Sequence, residues 1–533
     1  MLMNVPPSDI TPPHTTHYLI HHHARIFMSL PFRALRSAVL TTGLLATLGG
    51  CMVGPDYHRP KAIISSRFKE APPPEGWTKA NPAMSNMPKG NWWTVFNDPT
   101  LNGLEEEVSR SNQSLKQYEA QYRKARAMID SVRASLFPTL NGKFGFNRNS
   151  SGGRTISGLN AEPHTFVNTT NTWTMGPSAS WTIDVWGMIR RQIEQQVSST
   201  QSSAALLANM QLSYQLELAT DYMNLRYQDS LIDLFTRNVG LYQHNLEILS
   251  NQLAAGVADP TSVLQAKYQL ESTQASLANA HVARAQYEHA IAVLIGRPPA
   301  DLTIPHAPLP FTLPPIPQFL PSDLLQRRPD IAQAEREMEG YNAEIGYEIG
   351  AFYPQITLSA SYGYSGNPIQ HLIQLATRTW SLGAAASETL FNGGARSAAV
   401  REAEADYDNA VANYRQVVLK ALQDTEDQLS NLHYLGDQMT YQNQAVESAQ
   451  RAVEVSMNEY LAGTQIYTTV ITAQQTALQY EESRLQIQQQ RLNSVIRLIT
   501  DIGGGWSTDQ LPSKDSLQTD NPFLPSFIQK DKN

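Results

Sequence analysis

One unbroken stretch decides the fold of this chain: residues 187–255 read GMIRRQIEQQVSSTQSSAALLANMQLSYQLELATDYMNLRYQDSLIDLFTRNVGLYQHNLEILSNQLAA. The stretch has no proline and one internal glycine, Gly240, so it can form a single helix, roughly 100 Å long at 1.5 Å per residue. From residue 214 its apolar residues recur mostly at steps of four and three, a heptad pattern that predicts packing along other helices. The heptad positions are Tyr214, Leu218, Tyr222, Leu225, Ile232, Phe235, Val239, Tyr242, Leu246, Leu249 and Leu253.

A second rod of nearly the same length spans residues 395–462, and Gly436 is its only glycine. Its far half repeats the heptad steps, so it too should pack along other helices. The positions are Leu432, Leu435, Met439, Val446, Ala449, Val453 and Tyr460. We therefore interpret the rest of the chain as attachments to two long helices.

Composition excludes some classes of protein. The 533 residues are 41% hydrophobic and 17% charged, with a formal net charge of −8. No basic run stands out, so we expect no nucleic-acid partner. No apolar run reaches the length of a membrane-spanning helix, so we do not expect an α-helical membrane protein.

The N-terminal region predicts export and lipidation. Arg33 and Arg36 precede a short apolar stretch that ends in Leu48-Gly49-Gly50-Cys51, the pattern of a secretory signal at 28–50. This ending resembles a bacterial lipobox, which implies a diacylglycerol on Cys51, and Met52 rather than Asp at the next position implies sorting to the outer membrane. The alternative is a buried structural cysteine. We expect translation to start at Met28, with residues 1–27 an extension of the gene model, although a start at Met1 stays open.

Residues 51–98 are expected to form a lipid-anchored tether, because they contain many prolines and no periodicity. An aromatic group, Trp92, Trp93 and Phe96, precedes Asp98-Pro99. This dipeptide is typical of a helix start, and the first helix should run to about residue 136. We interpret the acidic run Glu105-Glu106-Glu107 near that start as favourable to the helix dipole.

Alternating residues predict two β-hairpins, at 139–184 and 355–391. In residues 172–183 apolar and small polar residues alternate strictly, as in a strand with one apolar face. A polar loop of about 25 residues separates this strand from the one before it. Glu388 is the one charge on the apolar side of the fourth strand, and we place it near the junction of strands and helices.

The chain is an internal duplication. Gly463 follows Gly256 by 207 residues, and the same spacing separates Val470 from Val263. Each half contains a helix, two strands, a rod and a final helix. The halves are 99–296 and 322–502, joined by a crossover at 297–321 and followed by a tail at 503–533.

The predicted fold is mixed and mainly α-helical. The two shorter helices of each half together equal one rod, so we expect them to stack along it. Four strands with an exposed apolar face cannot close a membrane barrel, which needs about eight or more. Three chains of four strands each would supply twelve, so we expect a trimer in which a transmembrane β-barrel continues into a long α-helical barrel. The alternative is a soluble coiled-coil protein with exposed hairpins.

The chain resembles the outer membrane factor family, the TolC/NodT-type outer membrane efflux lipoproteins, over nearly its whole length after Leu48. The resemblance depends on several short strings in a fixed order. They are Cys51-Met52-Val53-Gly54-Pro55-Asp56-Tyr57, Trp92-Trp93, Phe96-Asn97-Asp98-Pro99, Ile183-Asp184-Val185-Trp186-Gly187, Ile295-Gly296-Arg297-Pro298-Pro299, Arg327-Arg328-Pro329-Asp330-Ile331, Phe391-Asn392-Gly393-Gly394 and Gly503-Gly504-Gly505-Trp506.

The resemblance implies a homotrimeric conduit in the bacterial outer membrane, with its helical part in the periplasm. A periplasmic adaptor would dock at the tip, and an inner-membrane transporter of the resistance-nodulation-division (RND) type would supply the energy. The channel itself would need no cofactor beyond the lipid on Cys51. Its cargo would be drugs or other small toxic compounds. A duct for type I protein secretion and a metal-ion efflux channel are the alternatives.

The tip should lie at the two turns around Gly256 and Gly463. Relatives often carry an acidic residue and an arginine just past the second turn, where this chain has Thr472 and Gln475. We therefore expect a gate closed by neutral hydrogen bonds through Thr468, Thr472 and Gln475. The alternative is that the threonines only cover a helix surface.

An enzyme is not expected. The sequence has no Gly-x-Ser-x-Gly motif, no phosphate-binding loop and no Cys or His pair at metal-ligand spacing, so we predict neither a catalytic nor a metal site.

Overall fold

The computed structural model describes residues 52–65, 67–70, 90–156, 164–314 and 321–517, which belong to one compact unit. The predicted extension 1–27, the signal 28–50 and the lipidation site Cys51 lie outside the described residues. Among the helices that are described, none combines the length and the apolarity needed to cross a membrane.

The two halves have the same order of elements. The first half contains α1 (Pro99–Ser111), α2 (Gln113–Arg133), β1 (Thr139–Ile156), β2 (His164–Ile183), α3 (Met188–Ala254) and α4 (Pro260–Leu294). The second contains α5 (Leu324–Arg327), α6 (Pro329–Gly350), β3 (Gln355–Gly366), β4 (Arg378–Ser387), α7 (Ala395–Leu461) and α8 (Tyr467–Asp501). The predicted mainly helical fold with four strands is confirmed.

The rods α3 and α7 dominate the structure, and each is 67 residues long. On α3 the predicted heptad positions are buried or half-buried, and Leu218, Tyr222 and Leu225 are fully buried. This rod packs against α2, α4 and α6, whereas α7 packs against α6 and α8. The heptad residues therefore form the contacts between rods and shorter helices, as expected.

The predicted first helix is in fact two helices, because Asn112 interrupts it. The Asn112 Oδ1 atom accepts a hydrogen bond from the Leu115 backbone N–H at 2.8 Å, which caps α2, and its Nδ2 donates to the Leu294 carbonyl at 2.8 Å. Neither glycine nor proline marks this break, so the sequence carried no strong signal of it. The bond to the far end of α4 is a tertiary contact.

The four strands form one antiparallel sheet in the order β1-β2-β3-β4. Its apolar face carries Phe144 and Phe146, which pack on Trp173 with ring centroids 5.7 and 4.7 Å apart. Trp380 and Tyr362 are cross-strand partners on the same face, and they are 66% and 48% exposed. The strands of the first hairpin are longer than predicted, because residues of the expected polar loop extend β1 and β2.

The largest buried cluster lies where α1, α3, the end of α4 and the end of α8 meet. The predicted aromatic group contributes to it: Trp92 and Trp93 are almost completely buried, with their rings 6.0 Å apart. The cluster holds the stacked short helices against the first rod. Its helix residues include Leu101, Val108, Leu218, Tyr222, Ile291, Leu492, Val495 and Ile499.

The segment predicted as a lipid-anchored tether is docked on the helices where it is described. The Val53 N–H donates to the Trp186 carbonyl at 3.2 Å. Arg191, 1% exposed, donates to the carbonyls of Val53 and Gly54 at 3.0 and 3.2 Å and pairs with Asp56 at 3.0 Å. The described part of the predicted tether, residues 52–65 and 67–70, is therefore held against the helices, and we call it the strap.

The crossover is also held, by a buried ionic network. Asp229 is 0% exposed and pairs with Arg226 at 3.0 Å and with Arg284 at 2.7 Å. The same two arginines donate to the carbonyls of Pro305 and Ile304, at 2.6 and 2.7 Å. These bonds satisfy backbone groups that a proline-rich segment cannot pair by itself.

Candidate channel tip and sheet–helix junction

The first tip turn is tightly closed. Gly256 has a φ of 75°, the left-handed conformation that suits glycine at a helix end, and its N–H donates to the Leu253 carbonyl at 2.9 Å. Asp259 then caps α4, because its carboxylate accepts from the Ser262 backbone N–H at 3.0 Å and from the Ser262 hydroxyl at 2.6 Å. These hydrogen bonds lower the pKa of Asp259.

The second tip turn has the same backbone but no such cap. Gly463 also has a φ of 75°, and its N–H donates to the Tyr460 carbonyl at 2.9 Å. The N-cap position of α8 is Ile466, which makes no side-chain hydrogen bond. The first turn of α8 therefore lacks the stabilisation that Asp259 gives α4.

A buried cluster joins the two turns. It contains Leu249, Ala266, Tyr467, Val470 and Ile471. The Tyr460 hydroxyl donates to the Gln252 side chain at 2.7 Å, and the Tyr460 ring lies edge-on to Tyr467 at 5.1 Å. Burial raises the pKa of Tyr467 to about 12, so this phenol stays neutral.

The structure brings two of the three gate candidates together with α4. The Thr468 hydroxyl donates to the Gln265 side chain at 2.9 Å, and the Gln475 amide donates to the side chain of Gln269. The Thr472 hydroxyl instead donates to the Thr468 carbonyl of its own helix, at 2.9 Å. Thr472 therefore makes no hydrogen bond to α4 in the described part of the chain.

Sequence reasoning missed the glutamines on α4. Gln265 and Gln269 are four residues apart and share one helix face, a spacing that was readable. The sequence could not show which helix faces these glutamines. Their partners, Thr468 and Gln475, lie 203 and 206 residues further along the chain. All of these contacts are neutral, and their role as a gate stays a prediction.

The tip also exposes large apolar side chains. Val257 is 78% exposed, Leu461 is 71%, Ile466 is 69% and Leu264 is 64%. Scattered exposed leucines are ordinary, but a group at one end of a structure suggests contact with another molecule.

At the opposite end, each rod starts with an acid–arginine pair. The Asp184 carboxylate accepts from the backbone N–H groups of Ile189 and Arg190 at 3.1 and 3.0 Å, and from the Arg190 Nε at 3.2 Å. Glu388, one residue after β4, pairs with Arg396, although no backbone N–H of the described residues donates to its carboxylate. The charge that looked odd in the sequence lies at the junction of sheet and helix, where we placed it.

A cavity of about 370 Å³ lies at this junction, next to the polar side of β2. Trp186 forms part of its wall, stacked on Tyr353 at 4.9 Å and donating to the Pro354 carbonyl at 2.8 Å. Phe137 and Tyr347 line it together with neutral Ser, Thr and Gln side chains and with Asp184, whose carboxylate is paired with Arg190. Such a lining suits small organic molecules with few charges.

Glu105 corrects an interpretation made from the sequence. It is 0% exposed, and neither carboxylate oxygen has a hydrogen-bond partner. Burial raises its pKa well above the ordinary value. Glu107, by contrast, pairs with Arg297 at 2.6 Å near the end of α4. The three glutamates 105–107 therefore do not act together on the dipole of α1.

The residues that the structure describes contain no group of three or more His, Cys, Asp and Glu side chains able to hold a metal ion.

Comparisons with known proteins identify relatives over nearly the whole chain. The profile of the outer membrane efflux protein family matches residues 104–297 and 320–504. The solvent efflux pump outer membrane protein SrpC of Pseudomonas putida is 28% identical over 486 residues, covering 91% of this chain and 99% of the relative. The pyoverdine export outer membrane protein OpmQ of Pseudomonas aeruginosa is 29% identical over 424 residues, covering 79% and 88%.

Solved structures agree. The outer-membrane channel OprN superposes with a TM-score of 0.77 at 27% identity, covering 86% of this chain and all of that one. The Campylobacter jejuni outer membrane channel CmeC shares the fold, with a TM-score of 0.79 at 21% identity over 87% of this chain and 97% of its own. The family profile covers well over half of the chain, and these structures repeat its fold. The chain therefore belongs to the outer membrane efflux protein family.

Proposed function

We propose that three copies of this chain form the outer membrane channel of a tripartite efflux pump. The channel is a passive conduit that does no chemistry, and it carries small organic compounds from an inner-membrane transporter of the RND type to the exterior. The observation that carries the proposal is a four-stranded sheet with an exposed apolar face that is joined to helices of 67 residues. The chain that contains this sheet belongs to the outer membrane efflux protein family.

The sheet supports assembly in the membrane. Leu140, Trp181, Trp380 and Leu382 are exposed on it at 75%, 36%, 66% and 77%. Among the described strands, β1 and β4 each pair on one side only. Open edges in lipid would leave backbone groups unpaired, and three sheets joined edge to edge would give a closed barrel of twelve strands.

The strap supports a lipid anchor at the same level. Val53 is hydrogen-bonded to Trp186, three residues beyond the end of β2. A diacylglycerol on Cys51 would therefore start close to the boundary between sheet and helices. Since the apolar sheet would be in the lipid, the acyl chains would enter the same membrane from its periplasmic side.

The exposed apolar residues at the tip support docking of a periplasmic adaptor. Burying the side chain of Val257 or Leu461 against a partner would contribute about 1–2 kcal/mol each. The partner would need a complementary apolar surface, and it would link the tip to the inner-membrane transporter.

The cargo proposal depends on the relatives and on the junction cavity. Relatives are named for export of solvents, toluene and pyoverdine. The cavity beside β2 has an aromatic and mostly neutral lining. Both favour small organic compounds over proteins or metal ions, the two alternatives from the sequence.

Single-channel recording tests the conduit and its gate. Purified protein in planar bilayers should conduct, with a small conductance in the closed state. Gln475→Ala removes a bond between α8 and α4, so we expect a larger closed-state conductance and more frequent opening. Thr476→Ala is the matched control, because the Thr476 hydroxyl bonds within α8, to the Thr472 carbonyl, and Thr476 is not a gate candidate. It should behave as the wild type.

Two outcomes would contradict these proposals. A wild-type protein that never conducts would refute the conduit. Equal conductance of wild type and Gln475→Ala would refute the neutral gate alone. In cells, loss of the gene should raise the accumulation of small aromatic dyes, and reintroducing the gene should reverse this.

A further inference from the structure

The cavity at the sheet–helix junction is lined by one chain. Its walls come from the segment before β1, the end of β2, the start of α3 and the turn from α6 to β3. Among the described strands, β2 and β3 each pair on both sides, whereas β1 and β4 are the edges. Sheets that join edge to edge meet at β1 and β4, so the cavity beside β2 needs no second chain to be complete.

The cavity lies on the polar face of the sheet. Ser180 and Thr182 of β2 line it, whereas Trp181 between them belongs to the apolar face, because neighbouring residues of a strand alternate between faces. Thr139 also lines the cavity and is the cross-strand partner of Ser180. In the proposed barrel the apolar face is in the lipid, so the polar face lines the pore. Compounds in the pore would therefore pass the mouth of this cavity.

Aromatic rings form much of the cavity wall, namely those of Phe137, Trp186, Tyr347 and Tyr353. Two contacts fix the Trp186 ring in advance of a ligand: the stacking on Tyr353 at 4.9 Å and the hydrogen bond to the Pro354 carbonyl at 2.8 Å. A wall that is already ordered loses little conformational entropy on binding. Aromatic side chains favour planar aromatic partners through stacked and edge-on contacts.

The start of a rod does not require a tryptophan at this position. Both rods have a glycine as N-cap, Gly187 and Gly394, and both are 67 residues long. The residue before the N-cap is Trp186 in the first half and Gly393 in the second. Since the second rod starts without an aromatic residue there, helix initiation does not explain Trp186, whereas a role in the cavity wall does.

The polar groups of the cavity are neutral and available to a ligand. Ser135, Thr182 and Gln192 line it, and their side chains make no hydrogen bond to the part of the chain that is described. The one carboxylate in the lining, that of Asp184, is paired with Arg190 at 3.2 Å and accepts two backbone N–H groups. The lining thus offers neutral donors and acceptors and no unpaired charge.

Size and lining together select the class of ligand. A volume of about 370 Å³ lies near the lower end of ordinary ligand pockets, which suits molecules of one or two rings. The aromatic wall favours planar aromatic rings over saturated ones. A charged ligand would lose its hydration without meeting an opposite unpaired charge, which is unfavourable.

We propose that this cavity binds uncharged planar aromatic compounds of one or two rings that carry a hydroxyl or carbonyl group. The ring lies against the Trp186 side of the cavity, and its polar group bonds to Thr182 or Gln192. The proposal rests on the conduit proposed above and deepens it. Export of such compounds then includes a saturable binding step at the sheet–helix junction.

Equilibrium dialysis tests the site. The full chain in lipid nanodiscs is dialysed against radiolabelled 1-naphthol, and empty nanodiscs measure the partition of the probe into lipid. We expect saturable binding above this background. Unlabelled phenol and cyclohexanol are matched competitors, since both carry one hydroxyl on a six-membered ring and only phenol is aromatic. Phenol should displace the probe about tenfold better than cyclohexanol, and the charged benzenesulfonate should not displace it.

Variants locate the binding. Trp186→Ala removes part of the aromatic wall and should weaken the binding of 1-naphthol about tenfold. Gln192→Trp fills the cavity from α3 while it leaves Trp186 in place, so it should abolish the binding and keeps the test valid if Trp186→Ala does not fold. Trp380→Ala is the matched control, because Trp380 is 66% exposed on the opposite, apolar face of the sheet. It should bind the probe as the wild type does.

The outcomes separate this site from the conduit. Wild-type protein without saturable binding, or folded Gln192→Trp protein that binds as tightly as the wild type, would overturn the site. Equal displacement by phenol and cyclohexanol would overturn the preference for aromatic compounds. Each of these results leaves the conduit standing, since the conduit is tested by the conductance of the wild type without the probe. Wild-type protein that never conducts would overturn the conduit and, with it, the role of the site in export.

Discussion

Glu105 should destabilise the folded protein increasingly as the pH rises. It lies on the same face of α1 as Leu101, Leu104 and Val108, all buried in the largest cluster. Its side chain has no hydrogen-bond partner, and burial raises its pKa well above the ordinary value. In the unfolded chain the same carboxyl group ionises near pH 4.3.

The difference between the folded and the unfolded pKa of Glu105 sets the sign and the size of the effect on the free energy of unfolding. A raised pKa in the folded state stabilises the fold fully only below the unfolded pKa, and this contribution is lost as the pH rises towards the folded pKa. The loss is up to about 1.4 kcal/mol per pH unit in that range. Glu105→Gln cannot ionise, so its free energy of unfolding should exceed that of the wild type by more at pH 8 than at pH 5.

Urea unfolding of the detergent-solubilised protein at pH 5 and pH 8 measures this difference in the free energy of unfolding between Glu105→Gln and the wild type. Tryptophan fluorescence is a suitable signal, because Trp92 and Trp93 lie in the same cluster. Glu106→Gln is the control, since the Glu106 side chain is 54% exposed and pairs with Arg110 at 3.3 Å. It should change the free energy by less than about 0.5 kcal/mol. The reasoning is refuted if Glu105→Gln and the wild type have the same unfolding midpoint at both pH values.

Further predictions concern the tip and the strap. Asp259→Ala removes the cap of α4 and should cost about 1 kcal/mol, seen as faster amide hydrogen exchange in the first turn of that helix. Ile466→Asp should slow exchange at the start of α8, and unchanged rates would show that the caps do not control these turns. Arg191→Ala removes the buried donor to the strap. Residues 52–70 should then be cut faster by trypsin, after Lys61 or Arg67, than in the wild type, and equal rates would contradict the docking.

The strap shows why some features could not be predicted. Its prolines and lack of periodicity describe an extended segment, and an extended segment is what the structure contains. Its docking depends on Arg191, more than a hundred residues later. It also depends on the close approach of Gly54 to Gly346, where a Cβ on Gly54 would lie 2.3 Å from the Gly346 Cα atom. Such contacts leave no periodic signal in either segment.

The sequence by itself determined the two rods, the four strands, the duplication and the family, because these depend on local periodicity and on short strings of residues. Helices of 67 residues show their heptad spacing directly, and their buried positions were read correctly. Only the tertiary structure decided the break at Asn112, the partners of Thr468 and Gln475, and the burial of Glu105. Each of these depends on which distant surface lies opposite a residue, and that is set by the packing of whole helices.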